Sequence, residues 1–373
     1  MPFGSAAEQS IADRLLLDRV LQQRSAHWKP HDAAIDPERS GVIMTGPRAG
    51  TRVADLRGRG CVAPLLIDPA AYIRHKATAE TPFIVPTDRL GGVEWEICAQ
   101  RNAGADAAIT PTGHIAADDT AALRAVVRKA VTLDRDGVIV ALPIHTDWLR
   151  PASFDVLFEA CRAIPHVKAV IPSGQFDPIA LTSRIQNLRR LVGTLDDVAV
   201  IRTDLAAFDA VAHGAVFAAI GDSSFLRHAV PPDQRAWRSS LDDGTPDILV
   251  PLLMRYNSGL EVAERYAAVE PPRCACSTCL GRDLARFTTD SKDCKAEARA
   301  HNVAAVAPWH AELLAEPAGH SRRRWWRHHC ALALARYDDV SRNINSLDGF
   351  RIPGALRVWA TVPLDAGSSF GLG

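Results

Sequence analysis

The chain carries no surplus of charge: lysine plus arginine and aspartate plus glutamate each number 43. No global basic field therefore advertises a nucleic-acid partner, and any such partner must be met by local charge. Nor is there an apolar run approaching the ~18 residues that crossing a bilayer takes, so no membrane association is expected. No G-x-G-x-x-G turn follows the first strand-like segment, which removes the usual dinucleotide fingerprint. The opening stretch, MPFGSAAEQSIADRLLLDRVLQQR, mixes acids and arginines among its leucines. It reads as an amphipathic helix without the basic start or apolar centre of a signal peptide, and the expected location is the cytoplasm. In that reducing setting eight cysteines do not make a disulfide framework. Internal repeats and low-complexity linkers are also lacking.

What is present is a globular composition, 47% apolar and 23% charged. Short aliphatic runs alternate with helical stretches rich in alanine and arginine. Strands are expected at GVIMT, VAPLLID, PFIVPT, DAAITPT, GVIVALPI, VKAVIPS, VAVIRTD, AVFAAIG and DILVPLLM. Such runs, apolar without alternation, suit a parallel sheet buried on both faces. Polar residues recur where the runs end: Asp68, Thr87, Thr110, His145, Ser173, Asp204 and Gly221. Barrel enzymes gather their reactive groups at that end of their strands, so the expected fold is an α/β (β/α)8 TIM-type barrel. The expected division is a helical extension over 1–40, the main barrel over 41–269, a zinc-binding insertion over 270–303, and a closing helix with a tail over 304–373.

Cys61, Cys98, Cys161 and Cys330 are scattered, whereas Cys274, Cys276, Cys279 and Cys294 fall in one short segment. C-x-C-x-x-C lets one loop present three thiolates, and His301, a helix further on, can close a tetrahedral Cys3His zinc site; Cys294 is the rival fourth ligand. Four protein ligands leave no open position, so such a zinc ion would be structural. Two other stretches offer phosphate contacts. Gly221-Asp222-Ser223-Ser224 ends a strand ahead of an expected helix, whose first N–H groups can hold a phosphate, although an ordinary N-cap serves as well. HSRRRWWRHH packs Arg322, Arg323, Arg324 and Trp325 together; arginines fork phosphates and indoles stack on bases, and a solvated helix face is the alternative.

C-x-C-x-x-C followed by a helix and His301-Asn302, placed after the last expected strand, resembles the zinc signature of the tRNA-guanine transglycosylases. The spacer to the histidine is shorter than in that family. The resemblance implies a (β/α)8 barrel that exchanges guanine in a polynucleotide for a 7-deazaguanine such as preQ0. It implies a nucleophilic aspartate holding the sugar covalently and a second aspartate shuttling protons. DILVPLLMRYNSG has the layout of the family's nucleophile segment, which makes Asp247 the nucleophile, followed by Pro251, Arg255 and the Asn257-Ser258-Gly259 turn. LLIDPAAYIR makes Asp68 the acid/base, with Tyr72 where the family aromatic packs on the base. The family's guanine-reading residues are not matched. His145 and Asp147 stand where its glutamine loop belongs, and Gly174 with Gln175 where its glycine pair does. The departures leave tRNA or DNA as the polynucleotide, the DNA branch of the family being similarly divergent.

Two further readings compete. One is a non-catalytic zinc barrel that binds nucleic acid as the partner of an active transglycosylase subunit; a dimer is compatible with either. The other is an unrelated phosphate-binding barrel enzyme with an incidental zinc loop, which would leave the arginine–tryptophan stretch without a role.

Overall fold

The computed structural model describes residues 15–85, 91–134, 136–175, 178–234, 243–344 and 349–362. Eight parallel strands close into a barrel in chain order: β1 (Arg19–Ser25), β2 (Val42–Thr45), β3 (Leu65–Asp68), β4 (Ala107–Ile109), β5 (Val138–His145), β6 (Val167–Ser173), β7 (Val198–Thr203) and β8 (Phe217–Gly221). The helices between and after them are α1 (Ala49–Gly58), α2 (Gly92–Asn102), α3 (Thr120–Ala130), α4 (Pro151–Ala163) and α5 (Thr182–Thr194). They continue as α6 (Ala206–Ala212), α7 (Gly259–Arg265), α8 (Lys292–Ala315), α9 (His320–Asn343) and α10 (Gly354–Thr361). The TIM-type α/β barrel expected from the strand pattern is therefore the fold.

Side chains alternate across each strand, and the barrel sorts them. Leu21, Ile43, Leu66, Ile139, Ile171 and Phe217 form part of an interior cluster. Val140, Leu142, Val170 and Val200 belong to a second cluster with the helices. Burial on both faces is why these strands read as unbroken apolar runs.

Four expectations about elements and boundaries are corrected. The segment assigned to a helical extension over 1–40 contains β1, which hydrogen-bonds to both β2 and β8 and closes the barrel; residues 1–14 lie outside the described ones. Its pattern misleads because Gln22, Gln23 and Arg24 are polar yet buried, so the strand lacks the apolar signature of its neighbours. The described part of PFIVPT, residues 82–85, forms no barrel strand: Phe83 makes an isolated antiparallel bridge to Thr112, and Thr87 lies outside the described residues. Pro82 and Pro86 supply no N–H for a ladder. DILVPLLM leaves the barrel altogether. Its first half is β9 (Asp247–Val250), paired antiparallel with β10 (Arg255–Ser258), so the barrel ends at β8. The boundary placed at residue 303 falls inside the continuous helix α8.

Candidate active site and metal centre

At the C-terminal rim the interior cluster gives way to polar side chains on the same inward register: Gln23 on β1, Thr45 on β2 and Asp68 on β3. Asp68 is 1% exposed. Its Oδ2 accepts from the Tyr72 hydroxyl at 2.6 Å and from Gln23 Nε2 at 3.0 Å; its Oδ1 accepts from the Ala70 amide at 2.8 Å. Arg202 Nη1 stands 3.9 Å from Oδ2. Burial raises the Asp68 pKa above the ordinary carboxyl range, with Arg202 and the Tyr72 hydroxyl opposing the shift. Burial likewise raises the Tyr72 hydroxyl well above its usual value.

Arg202 reaches this position through backbone irregularity. The β7–β8 register slips between Val200 and Thr203, and Arg202 has φ +53°, the left-handed region that non-glycine residues rarely visit. The bulge brings the guanidinium against Asp68, where Nη1 donates to Tyr72 Oη at 3.1 Å and Nη2 to the Phe225 carbonyl at 2.9 Å. Tyr72 and Phe225 flank it, their ring centroids 5.4 and 5.2 Å from the guanidinium carbon. One arginine in VAVIRTD was the available sequence signal, an unpaired-looking charge in an apolar strand. The sequence reading passed over it, as it did Gln23.

Past β8 stand two more carboxylates. Asp222 is 2% exposed; its Oδ2 lies 3.3 Å from His31 Nε2 and 3.9 Å from Arg299 Nε, while its buried Oδ1 has no hydrogen-bond partner. Asp247 opens β9, outside the barrel strands, and its Oδ2 accepts from Arg227 Nη2 at 2.9 Å. The Arg227 guanidinium carbon sits 3.6 Å from the centre of the Tyr256 ring. Asp204, at the end of β7, has its pKa raised by burial and accepts the Ala206 amide at 2.9 Å. Asp68 and Asp247 are thus joined through arginines and backbone, Asp68 to Arg202 to the His228 carbonyl (3.4 Å) and from its neighbour Arg227 to Asp247.

The metal-binding expectation holds as a set of converging donors. One ligand atom each from Cys274, Cys276, Cys279 and His301 lie within 4.8 Å of one another. His301 Nδ1 is 3.2 Å from Cys279 Sγ and 3.6 Å from Cys276 Sγ. Its other nitrogen, Nε2, is 2.8 Å from the Leu249 carbonyl, which keeps the proton there and leaves Nδ1 free for an ion. Arg286 Nη2 donates to Cys279 Sγ at 3.1 Å, a contact suited to a thiolate. Three thiols and an imidazole in one tight group fit a four-coordinate metal ion. Cys294 is not in the group; it stands in the first turn of α8, its amide bonded to Ser291 Oγ.

Other expected site residues are placed differently. Tyr72 presents its hydroxyl to Asp68 and is 1% exposed, so it is a hydrogen-bond partner of the carboxyl with no open face for a base. Gly221 offers no phosphate cradle: a Cβ there would come within 2.3 Å of Leu226 backbone atoms, and a three-residue 3-10 turn follows where a helix was expected. Arg255 donates to the Arg351 carbonyl at 2.6 Å and stands beside Glu261. His145 remains at the rim, half-buried, its Nδ1 accepting the Asp147 amide at 3.2 Å. Gly174 lies against Pro178 and Thr146. Near them His114 Nε2 meets Ser173 Oγ at 2.6 Å.

The arginine–tryptophan stretch is corrected most sharply. Arg322 is 6% exposed and paired with Asp18, the residue before β1, whose own amide bonds Val216 just before β8. This is the N-terminal end of the barrel, opposite the rim. Arg323 and Arg324 follow it on the same turn of α9. Trp325 is half-buried and stacked on His329 at 4.9 Å, and Trp326 stacks on Phe208 at 5.4 Å inside the core. Trp326 thus fills the core, while Trp325 lies at its edge against His329.

No family model matches the chain, and no curated protein matches it. Among solved structures it is similar in part to orotidine 5'-monophosphate decarboxylase from Metallosphaera sedula, at 14% identity over 54% of this chain and 88% of that one, with a TM-score of 0.29.

Proposed function

We propose that the chain is a base-exchanging transglycosylase that replaces guanine in tRNA or DNA with a 7-deazaguanine through a covalent aspartyl-glycosyl intermediate. The observation that carries this reading is the donor group of Cys274, Cys276, Cys279 and His301 seated directly on β9, the strand that begins with Asp247. A metal signature and a candidate nucleophile that the sequence resemblance pairs are also neighbours in space. Zinc suits three thiolates and an imidazole, and with all four positions filled it would hold the module together and take no part in the reaction.

In this reading Asp247 attacks the sugar carbon and Asp68 gives a proton to the leaving purine, then removes one from the incoming base. The raised pKa of Asp68 supports an acid role. The polynucleotide approaches the rim, where Arg48 and Arg74 are exposed after β2 and β3, rather than the α9 arginines at the far end. A non-catalytic subunit is the second reading, favoured by one observation: Asp68 and Asp247 are both already engaged, by Tyr72 with Arg202 and by Arg227.

Incubation with labelled tRNA and labelled duplex DNA, each with a 7-deazaguanine, decides between them. Wild type should trap a covalent adduct with one polynucleotide, Asp247→Ala should trap none, and Asp68→Asn should bind without turnover. Exchange by Asp247→Ala at the wild-type rate would refute the assignment and move it to Asp222 or Asp204. Absence of any adduct, with polynucleotide binding retained, would favour the non-catalytic subunit.

A further inference from the structure

β9 and β10 form a two-stranded ribbon, so among the described residues one edge of β9 has no strand beside it. In the antiparallel register the odd-numbered residues turn their backbone groups to that edge. An unpaired edge leaves N–H and C=O groups open. Here two consecutive side chains of α8 take the place of a third strand. His301 Nε2 binds the Leu249 carbonyl at 2.8 Å, Asn302 Oδ1 accepts the Leu249 amide at 2.8 Å, and Asn302 Nδ2 donates to the Asp247 carbonyl at 2.9 Å. The second Nδ2 hydrogen goes to the Asp222 carbonyl at 3.0 Å, one residue past the last barrel strand. Asn302 is 2% exposed and His301 fully buried.

One primary amide therefore joins two aspartate backbones on different structural units, the barrel end and the ribbon. Only asparagine has an acceptor and two donors at this reach: aspartate lacks the donors, and glutamine is one methylene longer. Its neighbour His301 has its other nitrogen in the metal-ligand group, so the peptide that presents Asn302 is anchored by the same residues that would hold the ion.

We propose that Asn302 is a positioning residue, and that filling of the adjacent metal site is transmitted through it to the places where Asp222 and Asp247 stand. Metal loss would release His301 from the thiolates, loosen this turn of α8, and free the Asp222 and Asp247 carbonyls together. The consequence for turnover rests on the transglycosylase reading; the mechanical coupling does not.

Metal content, amide hydrogen exchange and adduct yield, measured on the full chain, test it. Asn302→Ala and Asn302→Asp keep all four ligands and should retain metal. Both should exchange at least about tenfold faster over 247–250 and at Asp222, whose amide bonds the Gln23 carbonyl, and both should lose adduct yield by a similar factor. The aspartate variant should be the worse, because it sets carboxylate oxygens against two carbonyls. Chelation of wild type should speed exchange over the same two segments. Unchanged exchange there in folded Asn302→Ala and Asn302→Asp would overturn the proposal. If neither variant folds, the chelated wild type decides: faster exchange confined to 274–282 would overturn it equally. A wild type that traps no adduct would defeat the transglycosylase reading and leave the exchange result to decide the coupling.

Discussion

Arg202 and Asp68 are each 1% exposed, and such a pair loses its hydration on burial and recovers it only through mutual contacts. Asp68 has Tyr72, Gln23 and the Ala70 amide as well as the arginine, and Arg202 has two carbonyls. Removing one partner strands the other. Arg202→Met should cost about 3–5 kcal/mol at neutral pH by chemical unfolding. The cost should shrink as the pH falls, because protonated Asp68 needs no counter-charge. The linkage of Asp68 itself runs the same way. Its folded-state pKa is raised, so the folded chain holds a proton that the unfolded chain has released; stability falls as pH rises from the ordinary carboxyl value through the folded-state one. A pH-independent difference between wild type and Arg202→Met would contradict the first statement, and a wild-type stability that does not fall with rising pH in that range the second.

Among elements, the cysteine loop and α8 form one unit only when their ligands are held together. Cys276→Ala should lose metal and unfold earlier, since ligand binding free energy is also folding free energy for such a module. Elemental analysis of wild type should find about one metal ion per chain, and a metal-free, equally stable wild type would refute the site. Helix α9 is amphipathic: Arg322 and Trp326 of the expected nucleic-acid stretch are buried, and Arg324 is exposed. Trp326→Ala should cost about 3–5 kcal/mol as a core truncation, because its ring packs against Phe208 and Trp359. Arg324→Ala, at an exposed position, should change neither stability nor the salt dependence of polynucleotide binding. A flattened salt dependence in that variant would restore α9 as a phosphate-contacting surface.

Across the whole molecule, histidines buried neutral set the response to acid. Burial lowers His114, His228 and His310 to about 4, with Arg227 adding to the effect at His228 and His145 at His114. Between that value and the unfolded value near 6.5 the unfolded chain binds more protons than the folded one, so this stability is full above pH 6.5 and is lost as pH falls toward 4. His310, against the Phe208 ring at 5.1 Å, is the cleanest test. His310→Leu should reduce the slope of unfolding free energy against pH in that window by up to about 1.4 kcal/mol per pH unit. An unchanged slope would mean that His310 binds protons alike in the folded and unfolded chain, and would refute the assignment.

The sequence by itself determined whatever depends on local pattern. Strands buried on both faces are apolar throughout, so β2 through β8 were legible except where β4 and its preceding proline-flanked run divided differently. A loop of three cysteines with a histidine a helix away is a short-range constraint on chemistry, and the four ligands converge as read. Asp68 was legible because it ends an apolar strand. The tertiary structure alone decided the rest. β1 is a strand because β2 and β8 offer it ladders, and its buried Gln23 looks like a surface residue until the rim surrounds it. Asp247 opens a segment that reads like one more barrel strand, yet eight strands had already closed and β9 had only β10 left to pair with. Arg202 enters the site through a bulge, and Arg322 is spent on Asp18, 304 residues away in the chain. Contacts of that separation leave no periodicity in sequence; they exist only once closure of the barrel brings its first and last segments together.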